Sequence, residues 1–334
     1  MFASTDIKKI EREYEYKRNQ VNKAFMQTKE KIYQEYPRLY ELDCTIKKIG
    51  IEAAKLSLSS NSVEKEQAQN QLKEELQKCK QEKEQLLLEH HLTLSPQYSC
   101  FKCNDTGYIH TPTGATMCSC MRQKLINEAY SSSNMTNLKN ESFSKLDLSL
   151  YSNVKNIGLY KSDLSPQENI QKIVSIAKKF INDFDNPSQK NLLFTGTTGT
   201  GKTFLSSAIA NEIINNGYTV LYQTAPLLLD SIFEYKYNKI DANRSLYDNI
   251  FHVNLLVIDD LGTENLTAAK FAELFNIINS RLISQGTKTI ISTNYSLEEL
   301  SKVYDDRLLS RFIGNYSICR FYGNDIRLNQ GKRG

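Results

Sequence analysis

At 334 residues, 40% of them hydrophobic and 24% charged, the chain is long enough for two domains or for one domain with an extended arm. A net charge of +4, a pI near 8.5 and a mean hydropathy of −0.49 permit contact with nucleic acid without demanding it. No stretch reaches the apolar length of a membrane span, and the opening "MFASTDIKKIEREYEYKRNQ" turns charged before a signal-peptide core can form, so a cytoplasmic protein is expected.

Residues 1–95 are expected to form a helical, coiled-coil-like arm. Gly and Pro are nearly absent there, and Leu72, Leu76 and Leu86, with Cys79 and Lys83 between them, draw an interrupted helical seam. Apolar residues also recur at helical spacing in "IYQEYPRLYELDCTIKKIGIEAAKLSL", where Pro37 marks a start or a kink. The polar "SLSSNS" at 57–62 separates the two, which predicts a hairpin. A solvated, charged segment is the competing reading, and the heptad is too irregular to specify a coiled coil.

A metal-binding module is expected over residues 96–125. The seven cysteines are too few and too unevenly spread for a disulfide framework, but four cluster as Cys100-x2-Cys103-x14-Cys118-x-Cys120. The first pair has the tight spacing that offers two thiolates to one tetrahedral Zn2+, and Gly107 and Gly114 let the chain return with the second pair. Cys-x-Cys is a less usual second half, so His110 is held in reserve as a ligand. Four filled positions leave none for water, which reads as a structural site; redox-active thiols are the alternative.

A linker is expected over 126–142, around "YSSSNMTNLKN" (130–140), and a separate domain over 143–334. From 143 onward short apolar runs, "NLLFTG", "YTVLYQ", "LLVIDD" and "KTIISTN", alternate with helical segments. That alternation is the pattern of an α/β fold with a parallel sheet sandwiched by helices. Tyr222 and Phe233 read as core.

The chemistry lies in three of these runs. Gly196, Thr197, Thr198, Gly199, Thr200, Gly201, Lys202 and Thr203 match G-x-x-x-x-G-K-[ST] between a strand and a helix. Glycines let backbone N–H groups close around phosphate oxygens, and the helix N-terminus adds positive potential. Lys202 is expected on the β/γ-phosphates of ATP and Thr203 in the Mg2+ shell. "NLLVIDDLG" ends a buried strand in two acids: Asp259 to hold Mg2+ through water, and Asp260 to orient or deprotonate the attacking water. Asp is shorter than the Glu often found in the second position, so slow hydrolysis is expected. Asn294, at the tip of "TIISTN", is placed to reach the γ-phosphate or the water.

Arg307 and Arg311 stand four apart in "DDRLLSRF", on one helical face, with no acid following closely. Only about twenty residues follow Arg311, too few for a helical lid, which leaves the nucleotide site open to a neighbouring subunit. Arg311 is the expected trans-acting finger, with Arg307 as second choice or partner contact; a solvated helix edge is the competing reading.

In this order and spacing, "SFSKLDLSLYS", "NLLFTGTTGTGKTFLSSAIANEI", "LLVIDDLGTE", "KTIISTNYSLEEL", "RLLSRFIGN" and "FYGNDIRL" resemble the DnaC/DnaI-type bacterial replicative-helicase loaders, AAA+ ATPases without the usual lid and of the IstB-like group. "CFKCNDTGYI…CSC" resembles the module of the zinc-bearing members. The resemblance implies an ATP-dependent protein that binds the replicative DNA helicase through its N-terminal region, contacts single-stranded DNA, and helps deposit the helicase there. Self-association through the ATPase domain is the further partnership it suggests. Lys202, Thr203, Asp259, Asp260, Asn294 and Arg311 match the family's phosphate-loop, metal-acid, water-acid, sensor and finger positions. Alternatives are a transposition helper ATPase acting with transposase on duplex DNA, and an ATP-binding adaptor with little hydrolysis. The sister initiator is disfavoured because no helix-turn-helix follows the core.

Overall fold

The computed structural model describes residues 4–57, 63–112, 114–129, 141–237 and 244–327. The 130–140 segment, and the 57–62 separator apart from residue 57, lie outside them. Two compact units make up the chain: residues 11–109, and residues 1–10 with 110–334. No helix among the described residues is long and apolar enough to cross a membrane.

In the first unit, helix α1 (Ser4–Glu35) stops where Pro37 disfavours helical backbone at the residue before it, and α2 (Pro37–Ser57) begins on that proline. Helix α3 (Val63–Glu89) runs antiparallel to α2: Arg38, near the start of α2, donates from Nε to Glu82 Oε1 near the end of α3, at 2.7 Å. Leu39, Leu42 and Ile49 are buried, and α3 lays its Leu72, Leu76, Cys79, Lys83 and Leu86 seam half-buried. Lys83 interrupts that seam because it has a buried partner. The Asp43 carboxylate accepts from Lys83, from the Tyr33 hydroxyl and from Lys29 at 3.1 Å. Burial pushes the Asp43 carboxyl up, and these hydrogen bonds outweigh it to hold it below the usual carboxylate range.

The second unit is built on a five-stranded sheet in the order β4 (Val220–Thr224), β5 (Leu255–Leu261), β6 (Lys288–Thr293), β3 (Asn191–Gly196), β7 (Tyr316–Phe321). Every pairing is parallel, as the short apolar runs alternating with helices predict. Neighbouring strand residues serve opposite faces. Leu193, Leu221, Leu256 and Ile291 pack with helices α7 (Ala225–Tyr237), α8 (Arg244–His252), α9 (Ala268–Ile283) and α11 (Asp306–Asn315). Leu192, Tyr222, Val257 and Ile290 pack with α5 (Pro166–Asn182) and α6 (Lys202–Asn215). Helix α5 is fixed at its start by a capping box between Ser165 and Glu168, with Pro166 at its first position. A short α10 (Leu297–Val303) leads into α11.

Two smaller strands, β1 (Tyr108–Thr111) and β2 (Gly114–Met117), form a hairpin ahead of α4 (Ser119–Ala129). Gln123 of α4 closes the edge of β4 with two hydrogen bonds. Its Nε2 donates to Val220 O at 2.9 Å and its Oε1 accepts from Val220 N at 2.6 Å. These satisfy backbone groups that an edge strand would otherwise leave open.

Candidate nucleotide site

Strand β3 turns at its carboxyl end into the glycine loop, and α6 starts at Lys202. Gly196 sits at φ +124°, and a Cβ there would lie 1.9 Å from Phe321 O at the end of β7. Gly199 sits at φ +73°, with its open side filled by the Asp325 carboxyl, 2.0 Å from where a Cβ would stand. Neither position admits a side chain. Thr200 closes the loop by donating to Thr197 O at 2.7 Å, while Thr197, Thr198 and Thr203 are exposed.

Lys202 is 5% exposed. Its ammonium donates to Gly196 O, Thr197 O and Asn294 Oδ1, each at 2.8 Å, so Asn294 is brought to the phosphate loop as its position in the sequence suggests. Burial pulls the Lys202 pKa down to about 8, against the opposing pull of Asp260 and Asp259.

Asp259 is buried and surrounded by hydroxyl donors. Oδ1 accepts from Ser292 Oγ and, at the long distance of 3.4 Å, from Thr203 Oγ1; Oδ2 accepts from the Tyr222 hydroxyl at 2.8 Å. Asp260 follows in the left-handed region, φ +55°, where the β5–β6 register shifts between Ile258 and Leu261. Its N–H donates to Ser292 Oγ at 3.0 Å. Burial, then the neighbouring Asp259, push the Asp260 carboxyl up, with Lys202 and Arg327 opposing.

These groups border a cavity of about 360 Å³ whose lining includes Lys202, Thr203, Asp260, Asn294 and Arg327. Leu146, Leu150, Tyr151, Phe204 and Ile326 add apolar surface to it. A lining of charged and polar groups together with apolar side chains suits a ligand with a polyanionic part and a flat, apolar part. The oxygen donors of Thr203 and Asp259 are the hard set that Mg2+ takes, and the glycine cradle fits phosphate.

Three contributors escape the sequence reading. Tyr222 is core, as expected, but its hydroxyl also fixes Asp259. Ser292 follows the apolar Ile290 and Ile291 on β6, and its hydroxyl donates to Asp259 Oδ1 and accepts from the Asp260 N–H. Arg327 lies in "FYGNDIRL", where nothing local signals a role. It lines the cavity and is gripped by Asp325, at 3.0 Å from Nε and 2.7 Å from Nη2, while Ile326 N donates to Gly199 O at 2.8 Å.

Arg307 and Arg311 do not line this cavity. Arg311 is half-buried and donates from Nε to Asn279 Oδ1 on α9 at 2.8 Å. Arg307 is exposed, lies over the Phe275 ring at 5.2 Å, and meets an acid after all: Asp305, which precedes it, accepts from its Nε at 2.6 Å.

Cys100, Cys103, Cys118 and Cys120 bring their Sγ atoms within 4.8 Å of one another, with Cys103 and Cys118 buried. Thiolates about 2.3 Å from one tetrahedral Zn2+ stand about 3.8 Å apart, so the grouping fits that ion. The loop of the first pair is shaped by Asp105, whose carboxylate accepts from Ser99 N and Cys100 N, both at 2.9 Å. His110 is exposed and outside the group.

The family model described as IstB-like ATP binding protein matches residues 126–332. Over 144 residues the chain is 31% identical to the replicative helicase loader DnaC of Escherichia coli strain K12, covering 42% of this chain and 58% of that protein. It is also 29% identical over 148 residues to an insertion sequence IS21-like putative ATP-binding protein of Bacteroides fragilis, covering 42% and 54%. The chain thus spans under two thirds of the length of each. Among solved structures, a crystal structure of the DnaC helicase loader is similar at 23% identity and TM-score 0.43, covering 56% of this chain and 99% of that one. With the family model spanning more than half of its length over the glycine loop, the paired acids and the parallel sheet, the chain belongs to the IstB-like ATP-binding proteins.

Proposed function

We propose that this protein is an ATP-dependent loader of the replicative DNA helicase, acting in the cytoplasm to help deposit that helicase on single-stranded DNA. The observation that carries the reading is the Lys202–Asn294–Asp259–Asp260 constellation around the glycine loop, in a chain whose matched region is similar to DnaC. Lys202 and the loop amides bind the phosphates, Thr203 and Asp259 hold Mg2+, and Asp260 and Asn294 orient the attacking water. When bound, Mg2+ supplies charge neutralisation on the phosphate oxygens. Arg311, which does not line its own cavity, serves the site of a neighbouring subunit, with Arg307 beside it. The four cysteines hold a structural Zn2+, and the N-terminal helices are the helicase contact.

Co-purification with the replicative helicase, with and without magnesium ATP, tests this. ATP-dependent recovery of the helicase is expected for the native chain and its loss for Lys202→Ala; no recovery under any nucleotide condition would refute the loader. The likeness to an IS21-like ATP-binding protein favours a second reading, a transposition helper. Retention of a transposase and duplex DNA in place of helicase and single strands would establish it.

A further inference from the structure

Outside the phosphate cavity, Glu264 and Tyr304 are 9% and 4% exposed and face each other. Glu264 Oε2 accepts the Gly262 N–H at 2.7 Å, and Oε1 accepts the Tyr304 hydroxyl. Among the described residues no lysine or arginine pairs with this carboxylate. A buried carboxyl is kept only where partners satisfy its oxygens, so its two partners identify what it is for.

The first partner belongs to the loop that carries Asp260. The Asp260 carbonyl accepts from the Thr263 N–H at 3.2 Å and hydroxyl at 2.8 Å. From β6, Thr293 Oγ1 donates to Leu261 O at 2.7 Å, and beyond it the Tyr295 hydroxyl donates to Gly262 O at 3.2 Å. The loop after the acids is therefore tied to the strand end that presents Asn294. The second partner closes α10, its N–H donating to Leu300 O at 2.8 Å. Asp305 then caps α11, accepting from Leu308 N at 3.1 Å, and holds Arg307. Glu264 spans the two groups: one oxygen on the acid loop, the other on the elbow from which the arginine helix springs.

We propose that Glu264 and Tyr304 are positioning residues that lock α11 to the Asp260 loop, so that nucleotide closing on Asp260 and Asn294 fixes where Arg307 and Arg311 are presented. This rests on the nucleotide reading above and deepens it: one subunit's occupied site sets the arginine face offered to the next. Neither residue touches the ligand, so the effect is on α11 and not on binding.

Amide hydrogen exchange on the full chain, with and without magnesium ATP, reads it directly. In the native protein ATP is expected to slow exchange at residues 197–205 and at 306–315. In Tyr304→Phe, which keeps the ring against Phe271, the loop protection persists while α11 exchanges about tenfold faster with ATP bound than in the native protein. Glu264→Gln repeats the test if the first variant unfolds on heating. Equal ATP protection of α11 in both variants, or none in the native protein, overturns the link. Absence of protection at 197–205 in the native protein would overturn the nucleotide reading and this link with it.

Discussion

Burial makes the charged form of Lys202 costly, and nucleotide removes that cost. Three acceptors, each at 2.8 Å, and two nearby acids favour the ammonium, yet burial prevails and sets its pKa at about 8. Against the ordinary value of 10.5, at about 1.4 kcal/mol per pH unit, the charged form is disfavoured by about 3 kcal/mol. Because the folded value lies below the unfolded one, this penalty on the fold is fully present below about pH 8 and fades as pH rises towards 10.5. A triphosphate supplies the charge that restores the ammonium, so binding draws a proton from solvent. With half the lysine neutral at pH 8, uptake should be roughly 0.1, 0.5 and 0.9 protons per ATP at pH 7, 8 and 9. Calorimetric titration at each pH, in two buffers of different ionisation heat, measures it. Lys202→Met should abolish the rise. Uptake that is flat with pH, or unchanged in Lys202→Met, would refute the reasoning.

Asp260→Asn should slow single-turnover ATP hydrolysis about a hundredfold with nucleotide affinity retained; an unchanged rate removes Asp260 from the chemistry. Arg311→Ala should cut turnover about a thousandfold in the assembled protein and leave ATP affinity intact, measured by steady-state hydrolysis beside equilibrium binding. Cys103→Ser should reduce the zinc found by metal analysis of chelator-free protein from about one ion per chain to well below that. Asp43→Ala should destabilise the 11–109 unit by about 2 kcal/mol, measured by denaturant unfolding, because it leaves two half-buried lysines without their anion. The native contribution of Asp43 should hold above the ordinary carboxylate range and be lost as pH falls through its depressed value.

What the sequence disclosed follows from how each signal is encoded. The glycine loop, Lys202 and the strand-borne acids are contiguous, and each needs its residue type at a fixed spacing, so the motif locates them. Apolar runs separated by helices foretold the parallel sheet, but not that β3 would lie between β6 and β7, since strand order is set by crossovers rather than by any local pattern. The same limit hides Tyr222 and Arg327: Tyr222 bonds Asp259 from 37 positions away, Arg327 lines the cavity 67 positions beyond Asp260, and nothing near either in the chain announces it. Lys83 looked like a flaw in a seam because its partner, Asp43, lies on another helix.

The adjacent acids illustrate how backbone geometry completes what composition begins. In a regular strand Asp259 and Asp260 would point to opposite faces, and only one could serve a ligand at the sheet's carboxyl edge. Here the register slips between Ile258 and Leu261, and Asp260 takes a left-handed conformation that turns its side chain to the cavity beside Lys202. Asp259 stays in the strand, fixed by Tyr222, Ser292 and Thr203. One acid is thus held in the strand by three hydroxyls and the other is turned to the cavity. Asparagine accepts the left-handed region nearly as readily as aspartate, whereas a β-branched residue does not. Asp260→Asn therefore removes the carboxylate while preserving the turn, and any loss of hydrolysis in that variant reports on the acid itself. Asp260→Val would break turn and acid together, and should also disturb the Gly262–Glu264 contact that follows.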